Sequence, residues 1–188
     1  MSLKVQVKIN GLDLLRVERE LGNMSRKTPT VISRSMNRAI QNMRTSANKK
    51  TRETYHLKAS QINETMRVRK SSASSLYAEV KSSGKLIGLE KFSMSPRSPS
   101  SKGKSKIRVA VKRGPKKSID RSFIRGFESG KSIVMQRETR KRLPIRRLVG
   151  PSIPQVMNNE DVVNFVQKQG QETLQKRLDH EIARLVGR

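Results

Sequence analysis

Residues 29–54 read PTVISRSMNRAIQNMRTSANKKTRET, and this stretch decides the fold. Apolar residues recur in it every three or four positions, the period of one helix face: Ile32, Met36, Ala39, Ile40, Met43 and Ala47. Pro29 suits the first helical turn, where its missing N–H is not needed, and Thr28 is a typical N-cap residue. The pattern predicts a long helix from Pro29 to Thr54 with one buried stripe.

A second long helix is predicted at residues 159–186. Its later turns are marked by apolar residues spaced by four, four and three positions: Leu174, Leu178, Ile182 and Leu185. Three valines supply the earlier turns: Val162, Val163 and Val166. The polar positions carry charges of both signs, so we expect a C-terminal amphipathic helix of little net charge.

Several short stretches alternate apolar and polar residues, which is typical of half-buried strands. They are residues 3–9, 76–81 and 107–112 and the two arms of a hairpin, 123–127 and 133–137. Two short helices are also expected, Leu12–Leu21, with Leu14 and Leu15 available for burial, and Ala59–Arg67. The predicted fold class is α+β: a small, mostly antiparallel sheet packed by the long N-terminal-half helix and the C-terminal helix.

A chain of 188 residues is most simply one domain, here 1–188. Residues 94–106 are rich in Ser, Pro, Gly and Lys, which predicts a flexible loop. Residues 138–158 form a basic, proline-containing crossing segment, which we expect to be extended and free of helix. Four residues are expected to set its path, an architectural role: Pro144, Gly150, Pro151 and Pro154.

The net charge is +27, from 42 Lys and Arg against 15 Asp and Glu, and it is unevenly distributed. Residues 101–147 hold 17 basic and three acidic residues, whereas residues 151–188 hold five of each. A surplus that ends at one boundary indicates two roles. We expect the basic part of the chain to face a polyanion or an acidic partner, and the neutral C-terminal helix to pack against the rest of the protein.

The strongest candidates for such contacts lie in the crossing segment: Arg140, Lys141, Arg142, Arg146 and Arg147. A second set lies on the polar face of the long helix: Arg34, Arg38 and Arg44. That face also carries Lys49, Lys50 and Arg52, and a further basic run spans residues 112–117. Two interpretations stay open: sequence-independent contact with nucleic-acid phosphates, or contact with acidic surfaces of other protein subunits.

Catalysis has almost no support in the sequence. There is no Cys and only two His, so soft metal sites and cysteine nucleophiles are excluded, and we expect no catalytic residue, metal or cofactor. His180 is expected at the surface, and His56, at the end of the long helix, is expected to be partly protonated. No apolar stretch has the length of a membrane span, which favours a protein used in a reducing cytoplasm or assembled there.

Residues 143–155, LPIRRLVGPSIPQ, combine Leu-Pro-Ile, a hydrophobic pair and Gly-Pro-Ser-x-Pro. This stretch resembles the phage and prophage minor tail protein Z family. Other segments resemble the family in the same order: a helix at 33–40, a strand at 86–93 ending in Phe, a Phe123-Ile124 segment and a closing amphipathic helix at 172–184. The resemblance covers residues 26–186.

The resemblance implies a structural virion protein that completes the tail late in assembly, at the end that joins the filled head and receives the genome end. The implied partners are other tail and neck proteins, such as the tail terminator, tail tube or head-completion proteins. A homo-oligomeric ring in the virion, assembled in the host cytoplasm, is expected. The alternative is a freestanding, sequence-independent nucleic-acid-binding protein.

Overall fold

The computed structural model describes residues 2–99 and 106–187 and confirms an α+β fold. Its helices are α1 (Gly11–Leu21), α2 (Thr28–Thr54), α3 (Ala59–Thr65), α4 (Ile153–Met157) and α5 (Glu160–Val186). Its strands are β1 (Ser2–Val7), β2 (Met66–Arg69), β3 (Ala78–Ser83), β4 (Ile87–Gly88), β5 (Ser93–Ser95), β6 (Ile107–Ala110), β7 (Lys117–Ile119), β8 (Ser122–Gly126), β9 (Ser132–Arg137), β10 (Ile145–Arg147) and β11 (Val149–Gly150). The two long helices end within a residue of their predicted bounds.

The strands form several small sheets, where the sequence predicted a single one. Their orders are β1-β3-β2, β5-β6-β7 and β8-β9-β10, with β4 and β11 as a separate pair, and all the pairings among the described residues are antiparallel. In the first sheet, Val5 lies opposite Val80 and Val7 opposite Ala78, and all four side chains are buried. Each sheet has two or three strands of two to six residues, and no strand pairing among the described residues joins one sheet to the next.

Helices α2 and α5 pack together in antiparallel directions, and their apolar stripes form the centre of the core. Arg34 pairs with Glu181 near one end, and Lys50 lies over the Phe165 ring near the other. Between them, a Cβ added to Gly170 would lie 2.5 Å from Sδ of Met43, so the helix backbones approach closely there. The predicted stripe of α2 is buried along its length, at most 4% exposed.

Three local predictions near the N-terminal half are wrong. Thr28 is not the N-cap of α2: a 3₁₀ segment, Gly22–Lys27, runs directly into α2, so Thr28 already has helical dihedrals and Lys27 takes the N-cap position. Leu15 is 57% exposed, on the side of α1 away from the core. The short helix expected to reach Arg67 ends at Thr65, because the chain from Met66 pairs with β3.

Two predictions for residues 86–106 are corrected: the expected loop begins with a strand, and the expected strand is shorter than predicted. Met94, assigned to the flexible loop 94–106, lies in β5 and is 4% exposed, because it pairs with Val109 of β6. Residues 100–105 of that loop lie outside the described residues. The expected strand 86–93 is reduced to β4, followed by a 3₁₀ turn, Leu89–Lys91.

The crossing segment 138–158 is not free of helix as expected, because after the short strands β10 and β11 it contains α4. The Ser152 side chain accepts from N–H of Gln155, while Gln155 Oε1 accepts from N–H of Ser152 at 2.8 Å, which is a capping box. Pro154 occupies the first turn of α4, where no intrahelical N–H bond is lost. The prolines therefore allow this short helix instead of preventing one. The Leu143–Pro144 and Ser95–Pro96 peptide bonds are cis.

Candidate interaction surfaces

The loop between β9 and β10, residues 138–144, presents part of the first predicted cationic set. Its base is closed by backbone N–H of Glu138 donating to the Pro144 carbonyl, at 3.2 Å. The Arg137 guanidinium donates to the Arg142 carbonyl at 2.7 Å, and N–H of Lys141 donates to Thr139 Oγ1 at 3.2 Å. These bonds give the loop a defined shape although it is exposed.

Three cations project from this loop: Arg140, Lys141 and Arg142. All three are exposed, and none forms an ion pair within residues 2–99 and 106–187. Leu143 follows them and is 65% exposed. We call residues 140–143 the basic loop tip. A tip of free cations beside an exposed leucine is a surface suited to contact with an acidic partner.

Arg146 and Arg147 follow on β10, and they have different surroundings because alternate strand residues face opposite sides. The Arg146 guanidinium donates to Oε1 of Gln136 on β9, at 3.0 Å from Nη2, and remains exposed. Arg147 forms an ion pair with Glu90, whose side chain is only 14% exposed. Arg147 is therefore paired with an acid of its own chain, although half of its side chain stays exposed, and this pairing distinguishes it from the other residues of the first predicted set.

The Glu90 carboxylate lies where a side chain on residue 88 would otherwise be, since a Cβ added to Gly88 would collide with both of its oxygens. Oε1 is held by Arg147, and Oε2 is buried without a hydrogen-bond partner in the described part of the chain. This glycine thus permits the ion pair between the 3₁₀ turn and β10. Because the partners are 57 residues apart, no local sequence pattern predicts this pair.

The second predicted set, on α2, is also divided. Arg34 pairs with Glu181 of α5 at 3.6 Å, and Glu181 also holds Arg184 at 2.7 Å. Arg38 is exposed, and Arg44 is half-buried against α3. Within the described ranges, no hydrogen bond or ion pair joins the two sets. They are separate surfaces.

Arg44 belongs instead to a group of cations that the sequence analysis did not place on one surface. Four cations line two adjoining clefts along the C-terminal half of α2: Arg44, Lys49, Arg52 and Arg113. Arg113 comes from the loop after β6 and reaches the end of α2, where its Nε donates to the Arg52 carbonyl at 2.8 Å. We call this surface the α2 groove. The sequence placed three of the cations on one helix and Arg113 in a separate basic run.

His56 lies beside this groove, and its expected partial protonation is wrong. Burial lowers the pKa of His56 below 6.5, and the nearby Arg113 and Lys116 cations lower it further. The backbone N–H of His56 donates to the Val111 carbonyl at 3.0 Å, which holds it against β6. The imidazole is therefore mainly neutral at pH 7.

The predicted architectural residues occupy unlike environments. A Cβ added to Gly150 would lie 2.8 Å from Cε2 of Phe92, so this position requires close packing of β11 on that ring. Pro154 is buried in α4, Pro151 is half-buried and Pro144 is exposed. Of the four, Gly150 and Pro154 have the tightest surroundings.

A third cleft lies between the 3₁₀ turn, β5 and the tip of the β8–β9 hairpin, with a volume of about 700 Å³. Its lining mixes apolar Met94, Phe127 and Ile133 with basic residues that include Arg97 and Lys131. In residues 2–99 and 106–187, no cluster of three or more His, Asp or Glu side chains could hold a metal ion. None of the helices in these ranges combines the length and hydropathy that a membrane span needs.

The fold and its surfaces define a basic α+β protein with two candidate contact surfaces, one on a hairpin loop and one along a helix. The chain belongs to the prophage minor tail protein Z (GPZ) family, whose sequence model matches residues 10–187. It is therefore a structural minor tail protein of a phage or prophage, which interacts with other tail proteins. The match confirms the resemblance drawn from the LPI segment and its neighbours. No curated protein sequence and no solved structure matches the chain.

Proposed function

We propose that this minor tail protein acts at the head-proximal end of the tail, late in assembly, and takes part in joining the tail to the filled head. It does so as a single-domain structural subunit without catalysis, in the virion after assembly in the host cytoplasm. The observation that carries the proposal is the basic loop tip, whose three free cations and exposed Leu143 stand on a hydrogen-bonded hairpin.

The loop tip is proposed to contact acidic surfaces of neighbouring tail and neck subunits, such as tail terminator, tail tube or head-completion proteins. Arg146 supports this contact from β10. Arg147 and Arg34 are proposed to act mainly through their internal ion pairs with Glu90 and Glu181. The architectural residues are proposed to hold the hairpin at a fixed angle: Pro144, Gly150, Pro151 and Pro154.

A homo-oligomeric ring is part of the proposal, and exposed apolar residues support it. Leu12 and Leu15 on α1 are 79% and 57% exposed, one helical turn apart on the same side. A neighbouring subunit that covers both leucines would remove their apolar surface from water, which favours such a contact. Family membership favours this assembly role over the alternative of a freestanding nucleic-acid-binding protein.

The test is a prophage that carries Arg140→Glu, Lys141→Glu and Arg142→Glu together. We expect the subunit to fold and accumulate normally, while induced lysates contain unjoined heads and tails and few infectious particles. The matched control replaces three other exposed lysines with glutamate, Lys70, Lys81 and Lys85, and so changes the net charge by the same amount. Normal particle yields from the loop-tip variant would refute the assigned role of that surface.

A further inference from the structure

The α2 groove is a continuous basic surface separate from the basic loop tip. Its two clefts, of about 420 and 410 Å³, share Lys49 and Arg52 as lining residues. Arg44 lines one end and Arg113 the other. The four cations therefore follow one trough between α2, α3 and the loop after β6.

These cations lack acidic partners. None of the four forms an ion pair within residues 2–99 and 106–187, and the acid that lines the groove there, Glu53, is engaged by Lys50 at 3.3 Å. The lowered pKa of nearby His56, caused first by burial and then by Arg113 and Lys116, is consistent with a positive potential at this end of α2. Uncompensated cations held close together repel one another, and a bound anion relieves that repulsion.

The groove is also structurally defined. Backbone N–H of Arg113 donates to the Thr54 carbonyl and its Nε to the Arg52 carbonyl, both at 2.8 Å, so the loop caps the last turn of α2 and leaves the terminal Nη groups for a ligand. On the other wall, the buried Asn48 amide donates to the Ala59 carbonyl and to Asn63 Oδ1, at 3.0 and 2.9 Å. Asn63 can therefore offer its amide nitrogen to the groove.

The lining favours phosphates over a protein partner. Its polar residues are cations, amides, a hydroxyl and Glu53, whose carboxylate is paired with Lys50, and Ala59 is its one apolar residue. Protein interfaces usually contain an apolar, well-packed centre. Apolar residues suited to such a centre line the third cleft, Met94, Phe127 and Ile133, but not the α2 groove. Phosphate contacts, in contrast, are made by Arg, Lys, Asn, Gln and Thr side chains.

We propose that the α2 groove binds the phosphate backbone of nucleic acid without reading its sequence. From Arg44 to Arg52 the helix advances roughly 12 Å, while a duplex strand presents a phosphate about every 3.4 Å along its axis. The groove therefore spans several phosphates. A role for this contact at the genome end rests on the proposed function, which places the protein at the end of the tail that joins the filled head.

The test measures binding of the full-length protein to a fluorescent random-sequence 30-base-pair duplex by anisotropy, as a function of salt. The variant carries Arg44→Gln, Lys49→Gln and Arg52→Gln, which retain the backbone carbonyl that Arg113 caps. Since each phosphate contact contributes about −0.9 to the slope of log K against log salt, we expect the slope to lose about two to three units and the affinity to fall about tenfold or more. The single variant Arg52→Gln loses about one unit.

The matched control, with Lys70, Lys81 and Lys85 all changed to Gln, has the same net charge and should retain the wild-type slope. Urea midpoints check that all variants are folded. Equal losses in the groove and control variants, or no binding by the wild type, would overturn the proposal. So would displacement of the duplex by polyglutamate as effectively as by unlabelled duplex.

The two proposals fail separately. A groove variant that loses DNA binding supports this inference whatever the loop-tip variant does in assembly. Conversely, defective joining in the loop-tip variant supports the proposed function even if the groove variant binds DNA normally, and in that case only the groove assignment is abandoned.

Discussion

Replacing Gly170 with alanine tests how closely α2 and α5 approach. An alanine Cβ would lie 2.5 Å from Sδ of Met43 and 2.7 Å from its Cγ, whereas nonbonded heavy atoms normally stay about 3.5–4.0 Å apart. These are not the terminal atoms of the methionine, so relief requires a new rotamer in a buried site or a shift of the helices. Overpacking of this kind costs about 1–3 kcal/mol.

Helix propensity acts in the opposite direction, because alanine is favoured over glycine by about 1 kcal/mol in a helix interior. The expected net result is destabilisation by up to about 2 kcal/mol. Urea unfolding followed by circular dichroism should therefore give a midpoint lower by up to about 1 M. Gly11→Ala is the control, since nothing lies within 4 Å of its added Cβ.

A double-mutant cycle makes this prediction sharper. Met43→Ala alone should cost about 2–5 kcal/mol because it leaves a cavity between the helices. In that background, the alanine at position 170 has room and occupies part of the cavity, so Gly170→Ala should stabilise by up to about 1 kcal/mol. The same destabilisation in both backgrounds, or a stabilised single variant, would refute the close contact of Gly170 with Met43.

Three further predictions concern charge and capping. Arg147→Ala should lower the free energy of unfolding by about 1–3 kcal/mol, because it leaves the Glu90 carboxylate buried and unpaired. The control Arg146→Ala should change the free energy of unfolding by less than about 0.5 kcal/mol. Equal effects of the two substitutions in urea titrations would contradict this difference between the two arginines. His56 has a folded pKa below its unfolded value of 6.5, so the stability it contributes is complete above that pH and is lost as the pH falls through the folded pKa. The free energy of unfolding, measured from pH 7.5 to 5, should thus decline less in His56→Gln than in the wild type. Parallel pH curves for the two proteins would contradict this prediction. Ser152→Ala should cost about 1 kcal/mol through the lost cap of α4, and an unchanged melting temperature would argue against the capping box.

The long elements were predictable because they are locally determined. In α2 and α5 the apolar periodicity extends over 27 residues each, so one residue that departs from the pattern does not change the helix prediction. The β8–β9 hairpin was predicted for a similar reason, since its arms and turn are adjacent in the chain. The end of α2 at Thr54 was also clear from the change in pattern.

Elements that depend on distant partners were not predictable. Strand β4 has two residues and is paired with β11, about sixty positions further along the chain, so no local period indicates it. Met66 reads as part of a helix until β3 is available to pair with it. Helix α4 is not predicted either, because proline normally breaks a helix, although Pro154 falls in the first turn behind a cap, where it is tolerated.

The candidate surfaces show the same difference between residues that are close in the sequence and residues that only the fold brings together. The loop-tip cations were identified because they are consecutive and flank a proline. Arg147 could not be separated from them, since its partner Glu90 comes from another part of the chain. The α2 groove requires Arg113 to reach Arg52, 61 residues away, and only the folded chain shows that proximity.

The most direct measurement is electron cryomicroscopy of intact particles and of isolated tails, with this chain placed in the density. We predict that copies occupy the head-proximal end of the tail, with residues 140–143 against a neighbouring subunit. Density for the chain at the distal tip, or along the tube with none at the head-facing end, would contradict the assembly role.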